Sequence, residues 1–307
     1  MDEEVITAIR YAVSVCSILA IVANSIVITV FAVTKQLRNK YYAFIFNLAL
    51  ADGLFAAFNI AVPWTDKSSA SDVWAGLVIA SFTVSVLTIL AAAINRYLAL
   101  SLTPPARYDA LVTGYRLAGV CAILWVCSIL YGFLIRNVAA SGVYHVIQHL
   151  VYSLVLVVIW FITAIAYFLA FRKVKQYTPP LASTPGISVN ADCDDDTRAR
   201  QTRRLLVIFT CVLLMSFISW VPYGMLWMVV YFNTSLLYNA HFLAFFWGIY
   251  FMYCLSTVIN PLIYWCGLNA FREGFYAVFC RCVVKSDNGR TDIEPITNEN
   301  TVVDTVL

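Results

Sequence analysis

The chain has 307 residues, of which 62% are hydrophobic and 12% charged, with a mean hydropathy of +0.80. That composition excludes a water-soluble domain of this length and places most of the chain in lipid. A formal net charge of +3, unevenly distributed, reflects membrane topology and gives no nucleic-acid surface.

A helix needs about 20 apolar residues to cross a bilayer core. Runs of that kind lie at 11–34, 41–62, 73–100, 117–135, 146–171, 204–231 and 240–265. The predicted fold is an all-α membrane protein, a seven-helix bundle spanning 11–265 with no repeat or second domain. Residues 1–10 are expected to form a short outer amino end. Met1-Asp2-Glu3-Glu4 lacks the basic start of a cleavable signal, so the first helix is expected to act as its own insertion signal. Residues 176–200 are polar, proline-bearing and acidic, which predicts a disordered loop. Residues 266–284 carry an amphipathic stretch, Phe271-Arg272-Glu273-Gly274-Phe275, followed by Cys280 and Cys282; residues 285–307 form a polar tail.

Basic residues set the orientation. Lys35, Arg38 and Lys40 follow the first run, and Arg96, Arg107 and Arg116 follow the third. Arg172, Lys173, Lys175, Arg198, Arg200, Arg203 and Arg204 flank or occupy the loop between the fifth and sixth, and Arg272, Arg281, Lys285 and Arg290 lie in the tail. Only Arg10, Lys67 and Arg136 fall on the opposite side. The positive-inside rule puts the amino end outside and the tail in the cytoplasm.

Polar landmarks interrupt the apolar runs in a fixed order. Asn24 is in the first, Asn47-Leu48-Ala49-Leu50-Ala51-Asp52 in the second, Asn95-Arg96-Tyr97 at the inner end of the third, and Trp125 in the fourth. Ser219-Trp220-Val221-Pro222 is in the sixth and Asn260-Pro261-Leu262-Ile263-Tyr264 in the seventh. Over nearly the whole chain this series resembles the rhodopsin-like (class A) G-protein-coupled receptors. The resemblance implies a plasma-membrane receptor with a short amphipathic eighth helix, binding a ligand outside and a heterotrimeric G protein and arrestin inside. Neither matching position for the family's outer disulfide, near Ser71 and in 136–146, carries a thiol, and Ile159 stands where the fifth helix usually has proline. These departures are similar to the branch that includes melanocortin receptors, and the stretch from Ala106 to Gly114 looks like the second cytoplasmic loop of adenosine receptors. Without the proline, the outer half of the fifth helix is expected to be straighter.

Asp52 is the only acidic residue inside any of the seven runs. A charge at that depth is costly and should face polar partners in the bundle. The resemblance implies a sodium site of Asp52, Ser85, Ser256 and Asn260, with Trp220 and Thr257 nearby; the rival reading is a protonated Asp52 in a hydrogen-bonded core. No other cofactor is expected. Arg96 matches the arginine that holds the silent state and meets the G protein when the receptor opens. Its neighbour Asn95 stands where most relatives have aspartate. A neutral amide cannot supply a charge-assisted bond, so a weaker restraint and high basal signalling are expected. Trp220 and Pro222 match the toggle, and Tyr167, Pro261 and Tyr264, with Tyr97, the remaining activation switches.

The resemblance places the ligand among Val78, Ile79, Phe82, Tyr152, Tyr223, Trp227, Tyr250, Tyr253 and Cys254. None is charged, which disfavours an amine and favours a neutral, flat or lipid-like ligand; an aromatic stripe is also what helix packing produces. Cys280 and Cys282 read as palmitoylation sites or as incidental thiols. His145 and His149, four residues apart, share a helix face and could contribute to a weak zinc site or simply lie at the interface. A transporter or channel for a small solute is the rival class. It would want paired intramembrane charges, whereas Asp52 stands alone. No nucleophile, base and orienting group can be assembled inside the bundle, so no enzyme is expected.

The terminus Asp304-Thr305-Val306-Leu307 suits a PDZ domain, which captures a terminal carboxylate and an apolar last side chain; here Leu307 is the last side chain and Thr305 the alternating hydroxyl. Adding one glycine after Leu307 should abolish retention by PDZ scaffolds in a pull-down and leave G-protein coupling unchanged. Retention of the same scaffolds by the extended tail would disprove it.

Overall fold

A computed structural model of the chain describes residues 3–65, 69–102, 105–137, 141–177 and 191–280. Among these residues, seven helices are long and apolar enough to cross a membrane. They are α1 (Glu3–Val33), α2 (Ala43–Ala61), α3 (Ser69–Ser101), α4 (Gly114–Asn137), α5, α6 (Ala191–Phe232) and α7 (Ala240–Gly267). α5 is built from Ser141–His145, a π-helical turn Val146–Val151, and Tyr152–Tyr177. A short helix, Pro105–Leu111, lies between α3 and α4, and α8 (Asn269–Phe279) follows α7. The chain is thus a multi-pass membrane protein, and every regular element among the described residues is a helix.

α3 is the hub: it packs against α2, α4 and α5, and less extensively against α6. Lipid offers no hydrophobic drive for one apolar helix to meet another, so association rests on close packing and on polar contacts between helices. Small residues serve the first need, with Ala49, Ala51, Ala92 and Ala93 fully buried. Two buried clusters result. The inner one gathers Ile45, Leu48, Ala92, Phe209 and Tyr264, and the outer one Phe55, Phe82, Val86, Tyr253 and Cys254; Trp220 packs against both. The outward faces of α4 and α5 remain apolar and exposed, including Ile123, Val126, Leu130, Phe161 and Ile165.

The junction of α7 and α8 is defined by local chemistry. Asn239 caps α7, its Oδ1 accepting from the amides of His241 and Phe242 at 3.0 and 3.2 Å. At the far end the Leu268 amide donates to the Tyr264 carbonyl at 2.9 Å, and Leu268 itself is extended, so the chain breaks there and α8 begins. Phe271 and Gly274 bury α8 against α1, where a Cβ on Gly274 would come to 3.0 Å from Val30.

Three expectations change. α1 begins at Glu3, so most of the segment expected as an outer amino end is helical; Glu4 in its first turn complements the positive end of the helix dipole. α6 begins at Ala191, inside the stretch expected to be disordered, because extending an existing helix costs far less than nucleating one. Residues 178–190 of that stretch lie outside the described residues, as do Lys67, Cys282, Thr305 and Leu307. The outer part of α5 is not a regular α-helix but carries a π-helical turn. The Tyr152 amide bonds the Ile147 carbonyl five residues back, and the widened turn brings His149 against Trp227 of α6, ring centroids 4.4 Å apart.

α3 and α4 cross at Gly76 and Gly132, where a Cβ on Gly132 would strike the Gly76 carbonyl and one on Gly76 would lie 3.1 Å from the Gly132 carbonyl. The crossing brings the two backbones together with no covalent link: Cys16, Cys121, Cys127, Cys211, Cys254, Cys266 and Cys280 are free. Gly132→Ala should therefore cost about 1–3 kcal/mol by overpacking, read as a fall in thermal unfolding temperature in nanodiscs. Gly248→Ala, where a Cβ meets nothing within 4 Å, should not lower it; equal melting of the two variants would contradict the crossing.

Candidate functional site

The polar residues of the spans form a string of linked nodes through the bundle. Central to it is Asp52, buried on α2 with 2% exposure. Its Oδ1 accepts from Ser85 Oγ of α3 at 2.7 Å and its Oδ2 from Asn260 Nδ2 of α7 at 2.7 Å. One carboxylate thus joins three helices. Asn24 of α1 ties in alongside, donating to its own Ala20 carbonyl at 2.9 Å and to the Thr257 carbonyl of α7 at 3.0 Å. Ser256 is buried, with its hydroxyl donating to the Tyr253 carbonyl at 2.7 Å. Of the expected sodium ligands, Ser85 and Asn260 each bond Asp52, whereas the Ser256 hydroxyl is turned to its own helix. No cluster of three or more His, Cys, Asp or Glu occurs among the described residues.

A second node lies on α2, α3 and α4. Asn47 Nδ2 donates to Thr88 Oγ1 at 2.7 Å, and Asn47 Oδ1 accepts from the Trp125 indole at 3.0 Å. Both are landmarks or neighbours of landmarks in the sequence, and the structure gives them a common task.

At the cytoplasmic end, Arg96 is fully buried. Its guanidinium donates to the Tyr41 carbonyl in the Lys40–Tyr42 turn just before α2 and sits 5.9 Å from the Phe209 ring of α6. Among the described residues no carboxylate forms an ion pair with it; a backbone carbonyl and an aromatic face are its partners. Asn95 turns the other way and accepts from the Tyr108 hydroxyl at 3.1 Å. Burial pushes the Tyr108 phenol up, against the opposing pull of the Arg96 charge and the Asn95 bond, so it remains a neutral donor. Tyr108 stacks on Tyr41, and Lys40 closes the cluster through Asp109 at 2.6 Å and the Val112 carbonyl at 3.1 Å. Tyr97 is half-buried against the inner cluster. Tyr167 and Tyr264 are buried, their hydroxyls without a protein partner among the described residues.

In the outer half the expected pocket residues converge. Phe82 meets Trp220 and Tyr253 edge-on at 5.1 Å each and Tyr152 at 6.4 Å. Tyr223 stacks on Tyr253 at 5.1 Å and lies 5.6 Å from Tyr250 and 6.2 Å from Trp227. Pro222 is half-buried beside this group, and Pro261 is buried next to Asn260. Val78 packs on the same cluster, and the carbonyl of Ile79 accepts from Thr83. Cys254 is buried and accepts from Asn59 at 3.5 Å.

Sequence reasoning missed Asn59. It is 1% exposed, accepts from the Tyr250 hydroxyl and donates to Ser17 of α1 at 3.3 Å, making a polar cluster inside the aromatic wall. The signal was available: Asn59 stands two helical turns beyond Asp52 on α2 and so shares its inward face. Thr83, which bonds the Tyr152 hydroxyl at 2.9 Å, was missed as well. His145 and His149 stack with centroids 5.0 Å apart, and His149 Nδ1 is committed to the His145 carbonyl at 3.2 Å.

Residues 23–264 match the family model of the 7 transmembrane receptor (rhodopsin family), and the chain belongs to that family. It is therefore a rhodopsin-like G-protein-coupled receptor, a class whose members pair a ligand with a G protein. It is 24% identical to the substance-P receptor of Rattus norvegicus over 88% of this chain and 70% of that receptor. It is 25% identical to a Gq-coupled rhodopsin of Mizuhopecten yessoensis over 89% of this chain and 60% of that protein. A shorter segment, 38% of this chain, is 34% identical to 36% of the adenosine receptor A2b of Gallus gallus.

The Asn47 node should matter for stability. Asn47→Ala leaves the Trp125 N–H and the Thr88 hydroxyl without this partner in a buried site, which costs about 1–3 kcal/mol. Thermal unfolding of the purified receptor should fall accordingly, and Thr88→Ala added to Asn47→Ala should cost less than it does alone. Strictly additive effects would show that the node does not act as a unit.

Proposed function

We propose that this receptor binds a neutral, flat or lipid-like molecule in its outer aromatic pocket and converts binding into nucleotide exchange on a heterotrimeric G protein. The observation that carries the reading is the continuous ring contact from the pocket to Trp220: Tyr223, Tyr253 and Phe82 touch in series, and Phe82 touches Trp220. A ligand seated among these rings presses on a side chain that packs against both the outer and the inner cluster. Pro222, two residues on, removes a backbone donor and supplies the flexible point about which the inner half of α6 can move. The pocket residues carry no charge, so recognition rests on apolar area, ring stacking and the polar cluster at Asn59.

Outward movement of α6 would carry Phe209 away from Arg96. The Tyr41 carbonyl is then the remaining restraint, and its loss frees the guanidinium for the G protein. Tyr167 and Tyr264 gain from the same movement, since a buried hydroxyl without a partner costs free energy that an inward swing to a new partner restores. The amino end faces outside and the tail faces the cytoplasm of the plasma-membrane-bound receptor, in line with the distribution of Lys and Arg. Arrestin and a PDZ scaffold are proposed partners of that tail.

Asp52 and Ser85 offer a carboxylate and a hydroxyl in contact, a donor set that suits a small hard cation such as sodium. When bound, the ion would supply positive charge to Asp52; the chain's own part is to hold Asp52 between α3 and α7. Because α7 contributes Asn260, a cation favouring this arrangement favours the silent state and by linkage lowers agonist affinity.

The test measures GTP-analogue uptake by G proteins mixed with the full-length receptor in nanodiscs, in sodium and in a large organic cation. Ligand-free uptake is expected to be substantial, and Asn95→Asp should reduce it: about 1.4 kcal/mol of added restraint shifts the two-state ratio tenfold. Sodium should lower uptake by the wild type and leave Asp52→Asn unaffected. Failure of every G-protein class to respond with or without ligand would refute the function, and sodium-independent uptake by the wild type would refute the ion site.

A further inference from the structure

Between α5 and α6, about half-way along each, the surface opens into a narrow apolar slot floored by Val86 and Ile89 of α3 and ending on Trp220. Its walls are Leu156, Val157 and Trp160 of α5 and Leu213 and Val221 of α6. We propose that this slot is a binding site for one acyl chain of a bilayer lipid, inserted sideways between the two helices to touch Trp220.

Four observations fix the class of occupant. The slot faces lipid: Leu156, Val157, Trp160 and Val221 are half-buried, and their neighbours Val158, Phe161, Phe217 and Ile218 are exposed. Two hydroxyls border it, and both are committed to their own helices, Thr163 to the Ile159 carbonyl and Ser216 to the Leu213 carbonyl, each at 2.7 Å. No hydroxyl donor is left for a polar ligand, so hydrocarbon is the matching chemistry.

The slot is also closed at both ends. On the outer side α5 and α6 approach closely, a Cβ on Gly224 falling 3.8 Å from that of Ser153. On the inner side the Trp160 indole donates to the Leu213 carbonyl at 3.4 Å and its ring lies 4.5 Å from Phe217. Closure sets a limit on size. With α5 and α6 held together at both ends, a spanning helix about 10–12 Å across does not fit between them. Ile159 lines the slot at the position where relatives usually carry proline, so the wall here is an unbroken helix.

An occupied slot places hydrocarbon against Trp220, on the side facing the bilayer, while Phe82 holds that ring from within. Membrane composition thereby gains contact with the same side chain that the pocket reaches from outside. This consequence rests on the proposed role of Trp220; the binding site itself does not.

The test uses the full-length receptor in nanodiscs of phosphatidylcholine containing a fraction with a diazirine in the middle of one acyl chain. After illumination, labelled residues are mapped by mass spectrometry. Labelling of Leu156, Trp160 and Val221 should saturate as the diazirine lipid fraction rises, while labelling of Ile123, Val126 and Leu130 on α4 should rise in proportion to it. Val157→Phe fills the slot and should lower its labelling on the order of tenfold, the usual penalty for a misplaced group in an apolar pocket, with α4 labelling unchanged. Val157→Ala, which fills nothing, should preserve it. Proportional labelling at every lipid-facing residue would mean ordinary annular lipid and overturn the site, as would slot labelling indifferent to Val157→Phe. Protection of the slot only at high receptor density would assign it to a second copy and overturn it too. G-protein uptake measured on the same samples keeps the two proposals apart: loss of uptake with saturable labelling intact refutes the receptor mechanism alone.

Discussion

A carboxyl group at the middle of a bilayer has no water to turn to, and the bundle is organised around the partners it recruits. Asp52 receives one hydrogen bond from Ser85 on α3 and one from Asn260 on α7, each at 2.7 Å. In a hydrocarbon medium the helices gain little from apolar contact with one another, so polar contacts of this kind decide which helices are neighbours and in what rotation. Asn24 extends the set to α1 through the Thr257 carbonyl, and Asn47 extends it to α4 through Trp125. The aromatic cluster above and the Arg96 cluster below inherit their alignment from these bonds. The same residues could also change state, because hydrogen bonds between rigid helices have few intermediate arrangements.

The outer face raises a different problem. With no cysteine at the expected positions, α3 has no covalent tie at the top of the bundle. Its close packing comes instead from a glycine crossing with α4, where the backbones approach too closely for a side chain on Gly132 and leave little room for one on Gly76. Packing of that kind holds position without fixing a loop over the pocket. The π-helical turn of α5 adds a second local device, turning His149 inward onto Trp227.

The cytoplasmic end shows how one substitution is absorbed. Asparagine at position 95 removes the adjacent carboxylate, and Arg96 then finds the Tyr41 carbonyl and the Phe209 ring. Asn95 is not idle: it anchors Tyr108, which stacks on Tyr41 and so supports the residue whose carbonyl holds Arg96. Arg96 is thus held by a small network in which the Lys40–Tyr42 turn, α3, α6 and the Pro105–Leu111 helix all take part.

The seven spans were legible in the sequence because a bilayer imposes a minimum apolar length, and that constraint acts on each helix alone. Asn24, Asp52, Arg96, Trp220 and Pro261 were legible for a related reason: polar, bulky or kinking residues stand out within apolar runs. Tertiary structure alone decided that Arg96 meets the Tyr41 carbonyl, since every residue carries a carbonyl and none announces which one will face an arginine. It decided the Gly76–Gly132 crossing, because a glycine in a membrane helix has no partner until the rotation of both helices is known. It also decided the bond between Asn59 and Tyr250, residues 191 positions apart in the chain. Hydropathy and order are properties of one helix at a time, whereas these contacts depend on how two helices are turned toward each other.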